Sequence, residues 1–213
     1  MKRAFLLITL SVAISLILNA AKDPIKFGKI DKKYLEMTVC DLDSTAPAVV
    51  LCDYGYFNGS KFHFTRILRI KILTKEGLSW ANNVFRARNE SNIRGITYNL
   101  VDGEIVESKL KRSQIFTEHV YKQYFRQHVT MPNVEVGSVI DIISTSIGFP
   151  YEWYFQNTIP VLRSELVIEP STYISFRKNF FGYIPLDMST PNTWVSVNVP
   201  APSASPLISR GLS

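Results

Sequence analysis

The chain has 213 residues, 46% of them hydrophobic and 20% charged, with a formal charge of +6. That composition belongs to a folded globular protein and excludes a disordered or collagen-like one. The basic residues are scattered, apart from Lys109, Lys111 and Arg112, so the charge excess speaks to solubility and gives no argument for a nucleic-acid partner.

The first segment carries an address. Lys2 and Arg3 precede an uncharged, mostly apolar run over 4–18, and Ala20 and Ala21 lead into Lys22, Asp23 and Pro24. This order predicts a secretory signal peptide over 1–21, cut near Ala20 or Ala21, and export to the periplasm, the cell surface or the medium. The apolar run falls short of the ~20 residues that cross a bilayer, so no stable membrane span is expected after cleavage. No cysteine lies near the cleavage zone, which argues against a lipid anchor. Losing Lys2 and Arg3 takes the formal charge from +6 to +4. The remaining chain of about 192 residues is long enough for one well-buried domain, expected over 22–199.

Asp31 is placed to cap a short helix running to Met37. Two cysteines follow, Cys40 and Cys52. In an oxidising compartment an even count permits a disulfide between them. It would close a loop of about a dozen residues and stabilise by ~3 kcal/mol at best; the alternative is two small buried hydrophobes. The stretch 55–59, Gly-Tyr-Phe-Asn-Gly, predicts a turn between strands.

Over 62–73 the pattern alternates. Phe62, Phe64, Leu68, Ile70 and Ile72 fall on one face, His63, Thr65, Arg69 and Lys71 on the other. Period two predicts a long half-buried strand with a solvated polar face. A second helical turn is expected over 77–83. Ile96, Tyr98 and Leu100 alternate up to Asp102-Gly103, after which Ile105 and Val106 resume the apolar pattern. Asp-Gly between two such runs predicts a hairpin with a type I′ turn. Further strands are expected over 139–143, over 162–168 ahead of Pro170, over 173–180 and over 193–199. Many strands and few helices predict a mainly β protein, an antiparallel β-sandwich. From Pro200 the chain is rich in Pro and Ser without periodicity, and 200–213 reads as a disordered tail.

Catalytic signals are sparse. His63, His119 and His128 show no metal-ligand spacing, and there is no H-E-x-x-H or C-x-x-C, so no metal and no cofactor are expected. Cys40 is followed by Asp41 and Cys52 by Asp53, and neighbouring carboxylates oppose the thiolate that a nucleophile needs. Asp41 and Asp43 read as loop acids. Aromatic residues are the remaining candidates: Tyr151, Trp153 and Tyr154 crowd one segment, Tyr121, Tyr124 and Phe125 another. Tyr151, Trp153 and Tyr154 are the candidate ligand contacts, because flat apolar faces stack while polar tips hydrogen-bond. The rival reading places alternate aromatics in the sandwich core.

Several phrases are more specific than strand patterning. They are Ala46-Pro-Ala-Val-Val-Leu-Cys-Asp-Tyr-Gly55, Arg69-Ile-Lys-Ile-Leu-Thr-Lys-Glu-Gly77 and Tyr98-Asn-Leu-Val-Asp-Gly-Glu-Ile-Val106. Met131-Pro-Asn-Val-Glu-Val-Gly-Ser-Val-Ile140, Tyr154-Phe-Gln156 and Ile159-Pro-Val-Leu-Arg-Ser-Glu165 complete the set. In that order the chain resembles, over about 27–170, the domain of unknown function that precedes a transglutaminase-like domain in exported bacterial envelope proteins. The resemblance implies a non-catalytic β-sandwich-type N-terminal domain whose Cys-His-Asp machinery belongs to the following papain-like domain. Such relatives continue past the region matching 199–201 into an acidic segment and then that domain, whereas here a Pro/Ser-rich stretch follows. The expectation is an exported accessory or interaction domain that is not itself an enzyme, from a truncated or frameshifted copy or a genuine stand-alone module. Its expected partner is a transglutaminase-like domain or an envelope peptide or glycan. The alternative is a stand-alone carbohydrate- or peptide-binding module of the cell envelope.

Overall fold

The structure is a computed structural model, and it describes residues 24–202 except 88, 90, 151, 173–175, 178, 183 and 184. The signal peptide expected over 1–21 and nearly all of the expected tail lie outside the described residues.

The protein is mainly β, as its alternating pattern predicts. Eleven strands are described: β1 Ala48–Asn58, β2 His63–Ile72, β3 Asn82–Ala87, β4 Asn92–Val101, β5 Glu104–Lys109, β6 Ile115–Tyr121, β7 Tyr124–Thr130, β8 Val139–Ile147, β9 Val161–Glu169, β10 Met188–Ser189 and β11 Thr193–Val199. They form an eight-stranded sheet in the order β10-β11-β9-β1-β2-β8-β4-β5 and a three-stranded sheet in the order β3-β7-β6. Neighbours pair antiparallel, except that β1 runs parallel to β9.

Local signals sit where the sequence puts them. The β4–β5 hairpin turns at Asp102 (φ 49°) and Gly103 (φ 83°), both in the left-handed region that a type I′ turn requires. The helix α1, Lys32–Glu36, starts where Asp31 Oδ1 accepts the Lys33 N–H at 3.1 Å. The second helical turn is a tight 3-10 segment at Glu76–Ala81, slightly earlier than expected. Gly77 lies so close to the Pro47 carbonyl oxygen that a Cβ there would approach it to 2.1 Å, which holds this turn against the entrance to β1.

Three expectations need correcting. The 55–59 stretch is not a turn: β1 continues through Asn58, and the chain reverses only afterwards. The described residues within 173–180 are not strand; 173–175 and 178 lie outside the description. The third correction concerns the second half of β2, whose polar face is not solvated, while His63 and Thr65 in the first half remain partly exposed. Arg69 and Lys71 are both buried.

The reason for that burial is a third layer. Leu68, Ile70, Ile72, Ile140 and Ile142 face the small sheet and pack with Phe85, Val129 and Met131. On the opposite face, Val49, Leu51, Tyr98 and Val139 pack with Leu35, Cys40 and Ala46 from the segment 24–46, which straps the large sheet. Three charged side chains pin this strap through its backbone. Arg69 Nη2 donates to the carbonyls of Lys26 (3.1 Å) and Lys29 (2.8 Å) and to Asp141 Oδ2 (2.7 Å). Asp141 Oδ2 also accepts the N–H of Gly28 at 3.1 Å, in a turn where Gly28 adopts φ 80°. Lys71 Nζ donates to the carbonyls of Leu35 (2.8 Å) and Gly137 (2.5 Å), with no carboxylate paired to it among the described residues.

Removing one partner of a buried pair strands the other charge and costs about 3–5 kcal/mol. Arg69→Met is therefore expected to lower stability by that amount in urea denaturation, with early proteolysis within the strap. A loss within about 1 kcal/mol would show that the pair does not hold this layer. Lys71 supplies a pH signature. Burial pulls its ammonium down from 10.5 to about 8, so between those values the unfolded chain binds more protons. Stability should then rise with pH across that window, by up to ~1.4 kcal/mol per pH unit relative to Lys71→Met. Parallel pH profiles for the two proteins would contradict this.

Candidate functional site

A cleft of 460 Å³ opens between the large sheet, the small sheet and the loop that follows β8. Its size is that of a site for a small ligand or a few residues of a chain. The floor is built around one indole. Trp153 packs against β1 at Gly55, where an added Cβ would come within 2.6 Å of the ring. Its Nε1 donates to Ser164 Oγ on β9 at 3.0 Å. Gly55 faces Arg66 across the β1–β2 pair, and the Arg66 guanidinium stands 5.4 Å from the indole centroid, a cation–π contact. Arg66 is fixed from behind by Asp53, which accepts from Nε at 2.7 Å and from Nη2 at 2.6 Å. Phe64 meets the indole edge-on at 6.1 Å. A buried carboxylate thus orients a half-exposed arginine, and the arginine and a glycine together orient the tryptophan.

The far wall comes from the small sheet, with Arg86 on β3 and Tyr124 and Arg126 on β7. Tyr154 stands at the mouth, 71% exposed. Its hydroxyl donates to Glu152 Oε2 at 2.7 Å, and that bond to a carboxylate raises the phenol above its ordinary range.

Of the three aromatic residues that the sequence marks as candidate contacts, Trp153 and Tyr154 both line this cleft. Tyr151 lies outside the described residues. Trp153 is as much a packing residue as a platform, since its indole also joins the Phe57, Leu166 and Trp194 cluster. The arginines and Asp53 are residues that sequence reading missed. A signal for Arg66 was present, because it interrupts the apolar face of β2 between Phe64 and Leu68.

Cys40 and Cys52 are buried and free, so the disulfide that their even number permits is not formed. They belong to different clusters, Cys40 with Leu35 and Val49, Cys52 with Ile25 and Tyr54. Burial first, and the Asp53 carboxylate second, push the Cys52 thiol up to about 12. Asp43 is occupied in its own turn, accepting from the Thr45 N–H at 2.9 Å and the Thr45 hydroxyl at 2.7 Å. His119 bonds the Lys122 carbonyl, and His128 lies 3.5 Å from Glu118. Among the described residues no group of three His, Cys, Asp or Glu side chains is arranged to hold a metal ion, and no helix is long and apolar enough to cross a membrane.

No family model and no curated protein matches the chain. Six solved chains do match in structure. One is a protein from Parabacteroides distasonis described as a "putative protease", with a TM-score of 0.57 and 16% sequence identity. The likeness covers 75% of this chain and 37% of that one. At that identity it is a likeness of fold. The chain spans little more than a third of its neighbour's length.

Gly55 offers a direct check on the floor of the cleft. Gly55→Ala should lift the indole off β1, shift tryptophan emission to longer wavelength and cost about 1–3 kcal/mol, the usual toll of overpacking. Trp153→Phe in the same background identifies the signal among the three tryptophans. An unchanged spectrum and stability would mean that the indole does not rest on that glycine.

Proposed function

We propose that the chain is an exported, non-catalytic accessory module of the kind that precedes a transglutaminase-like domain, and that it binds a segment of another chain in the cleft floored by Trp153. The observation that carries this reading is the cleft itself. Its floor is rigidly assembled by Gly55, Arg66, Asp53 and Ser164, while its mouth presents an exposed tyrosine. A fixed aromatic platform beside oriented polar groups suits recognition better than turnover. The protonated, buried Cys52 thiol supports the same side of the choice, since a nucleophilic cysteine needs its thiolate. Export rests on the charge, apolar run and small residues within 1–21, and the partner domain on the motifs over 27–170.

A second reading, a stand-alone carbohydrate- or peptide-binding module of the envelope, is favoured by Tyr154, whose exposed ring and tethered hydroxyl suit stacking on a ligand at the mouth. Both readings require the cleft to bind, and neither requires chemistry. Titrating the protein with a panel of envelope peptides and oligosaccharides should quench or shift tryptophan emission, and Trp153→Phe should abolish the response. Peptide hydrolysis or acyl transfer that survives Cys40→Ala and Cys52→Ala would overturn both readings.

A further inference from the structure

Across the small sheet, Arg86 on β3 stands directly opposite Arg126 on β7, and Arg126 stands opposite Glu118 on β6. Like charges placed opposite each other on neighbouring strands destabilise a sheet. Here one carboxylate serves the row. Glu118 accepts from Arg126 Nη1 at 3.2 Å and also lies 3.5 Å from His128 Nε2. Arg126 Nε is buried without a hydrogen-bond partner, and among the described residues no acid pairs with Arg86: Glu152, which lines the same cleft, is bonded instead to the Tyr154 hydroxyl. Both arginines line the cleft opposite Trp153 and Tyr154. The row therefore carries one positive charge more than it neutralises, and the exposed Arg86 guanidinium has no acid beside it in the row.

A sheet keeps such an arrangement at a stability cost, and an anion that completes it gives the cost a purpose. One surplus charge suits a monoanion better than a dianion. The planar guanidinium fork matches a carboxylate in two parallel bonds. The bearer of that carboxylate is indicated by β3, an edge strand of its sheet that also lines the cleft. An open strand edge offers backbone donors and acceptors in the spacing of an extended peptide, which a sugar does not reproduce.

We infer that the cleft takes an extended peptide bearing a carboxylate, with the carboxylate held between Arg86 and Arg126 and the adjoining apolar side chain resting against Trp153 and Tyr154. This inference rests on the binding reading above and narrows its ligand. The carboxylate can be a chain terminus or an acidic side chain, since both present the same group.

Three peptides test it by tryptophan fluorescence or calorimetry: acetyl-Val-Tyr-Val with a free C-terminus, the same peptide as its amide, and the amide of acetyl-Val-Glu-Tyr-Val. The free acid, the glutamate peptide or both should bind at least tenfold more tightly than the neutral amide, and the tighter of the two names the source of the carboxylate. Arg86→Gln should erase that preference while leaving the melting temperature unchanged or higher, because it relieves the repulsion across the sheet. A structural role alone would lower it. Arg126→Gln should erase the preference too, and Arg86→Gln carries the test if that second variant does not fold. Equal binding of all three peptides would overturn the carboxylate and leave the cleft reading intact. A response to a neutral N-acetylglucosamine tetramer with none to any peptide would overturn the inference and leave a sugar site. Silence towards every probe would overturn the inference and the binding reading together.

Discussion

Arg69, Lys71 and Asp141 lie on the face of the large sheet that the strap covers, and they bind that strap through its main chain. A sheet whose strands alternate polar and apolar residues ordinarily leaves one face to water. Here the polar face is covered, and it can be covered because its charges find carbonyl and amide partners at Lys26, Gly28, Lys29 and Leu35. Without those partners the desolvation of an arginine, a lysine and an aspartate would exceed anything that the packing of Leu35 and Cys40 could return. With them, both faces of the central sheet become interior where β1, the second half of β2 and the first half of β8 run side by side, and the molecule has three layers.

That arrangement decides where a cleft can form. With the strap on one face, the small sheet occupies only part of the other. Past the end of the shared Ile70–Ile142–Val129 core, the two sheets separate and the loop after β8 enters between them. Trp153 fills the gap incompletely, and the remainder is the cleft. Its floor inherits rigidity from the large sheet, since Gly55, Arg66 and Ser164 all sit on strands paired on both sides. The far wall belongs to a three-stranded sheet whose edge strands, β3 and β6, each pair with a strand on one side only among the described residues, and which carries an unbalanced charge row. One side of the site is therefore preorganised, while the other is held at some cost to stability. That division is common where binding residues are selected against the interest of the fold.

The buried, protonated cysteine and the tethered carboxylates fit the same division. Cys52 is locked in the strap interface and Asp43 in its own turn. The cleft itself is faced by guanidinium, phenol and indole groups, by the hydroxyls of Ser91, Ser144 and Ser146, and by the Glu152 carboxylate that the Tyr154 hydroxyl holds.

Much of this was legible in the residues. Asp102-Gly103 fixed a hairpin because only certain residues tolerate two successive positive φ values, and Asp31 fixed a helix start because its carboxylate reaches the amide of Lys33. The alternation in β2, β4 and β9 located strands and the mainly β class, since period two is a property of the strand itself. Other features needed the whole molecule. Gly55 looked like a turn residue, yet it is the bare patch on β1 that receives an indole from a distant loop. Arg69 and Lys71 looked like a solvated face, because their partners lie 43, 72 and 36 positions away along the chain. The sequence by itself determined the local conformations, whose causes act over a few residues. Tertiary structure alone decided which polar side chains would be buried and which arginines would line one wall of a cleft, because desolvation and charge pairing depend on groups that only folding brings together.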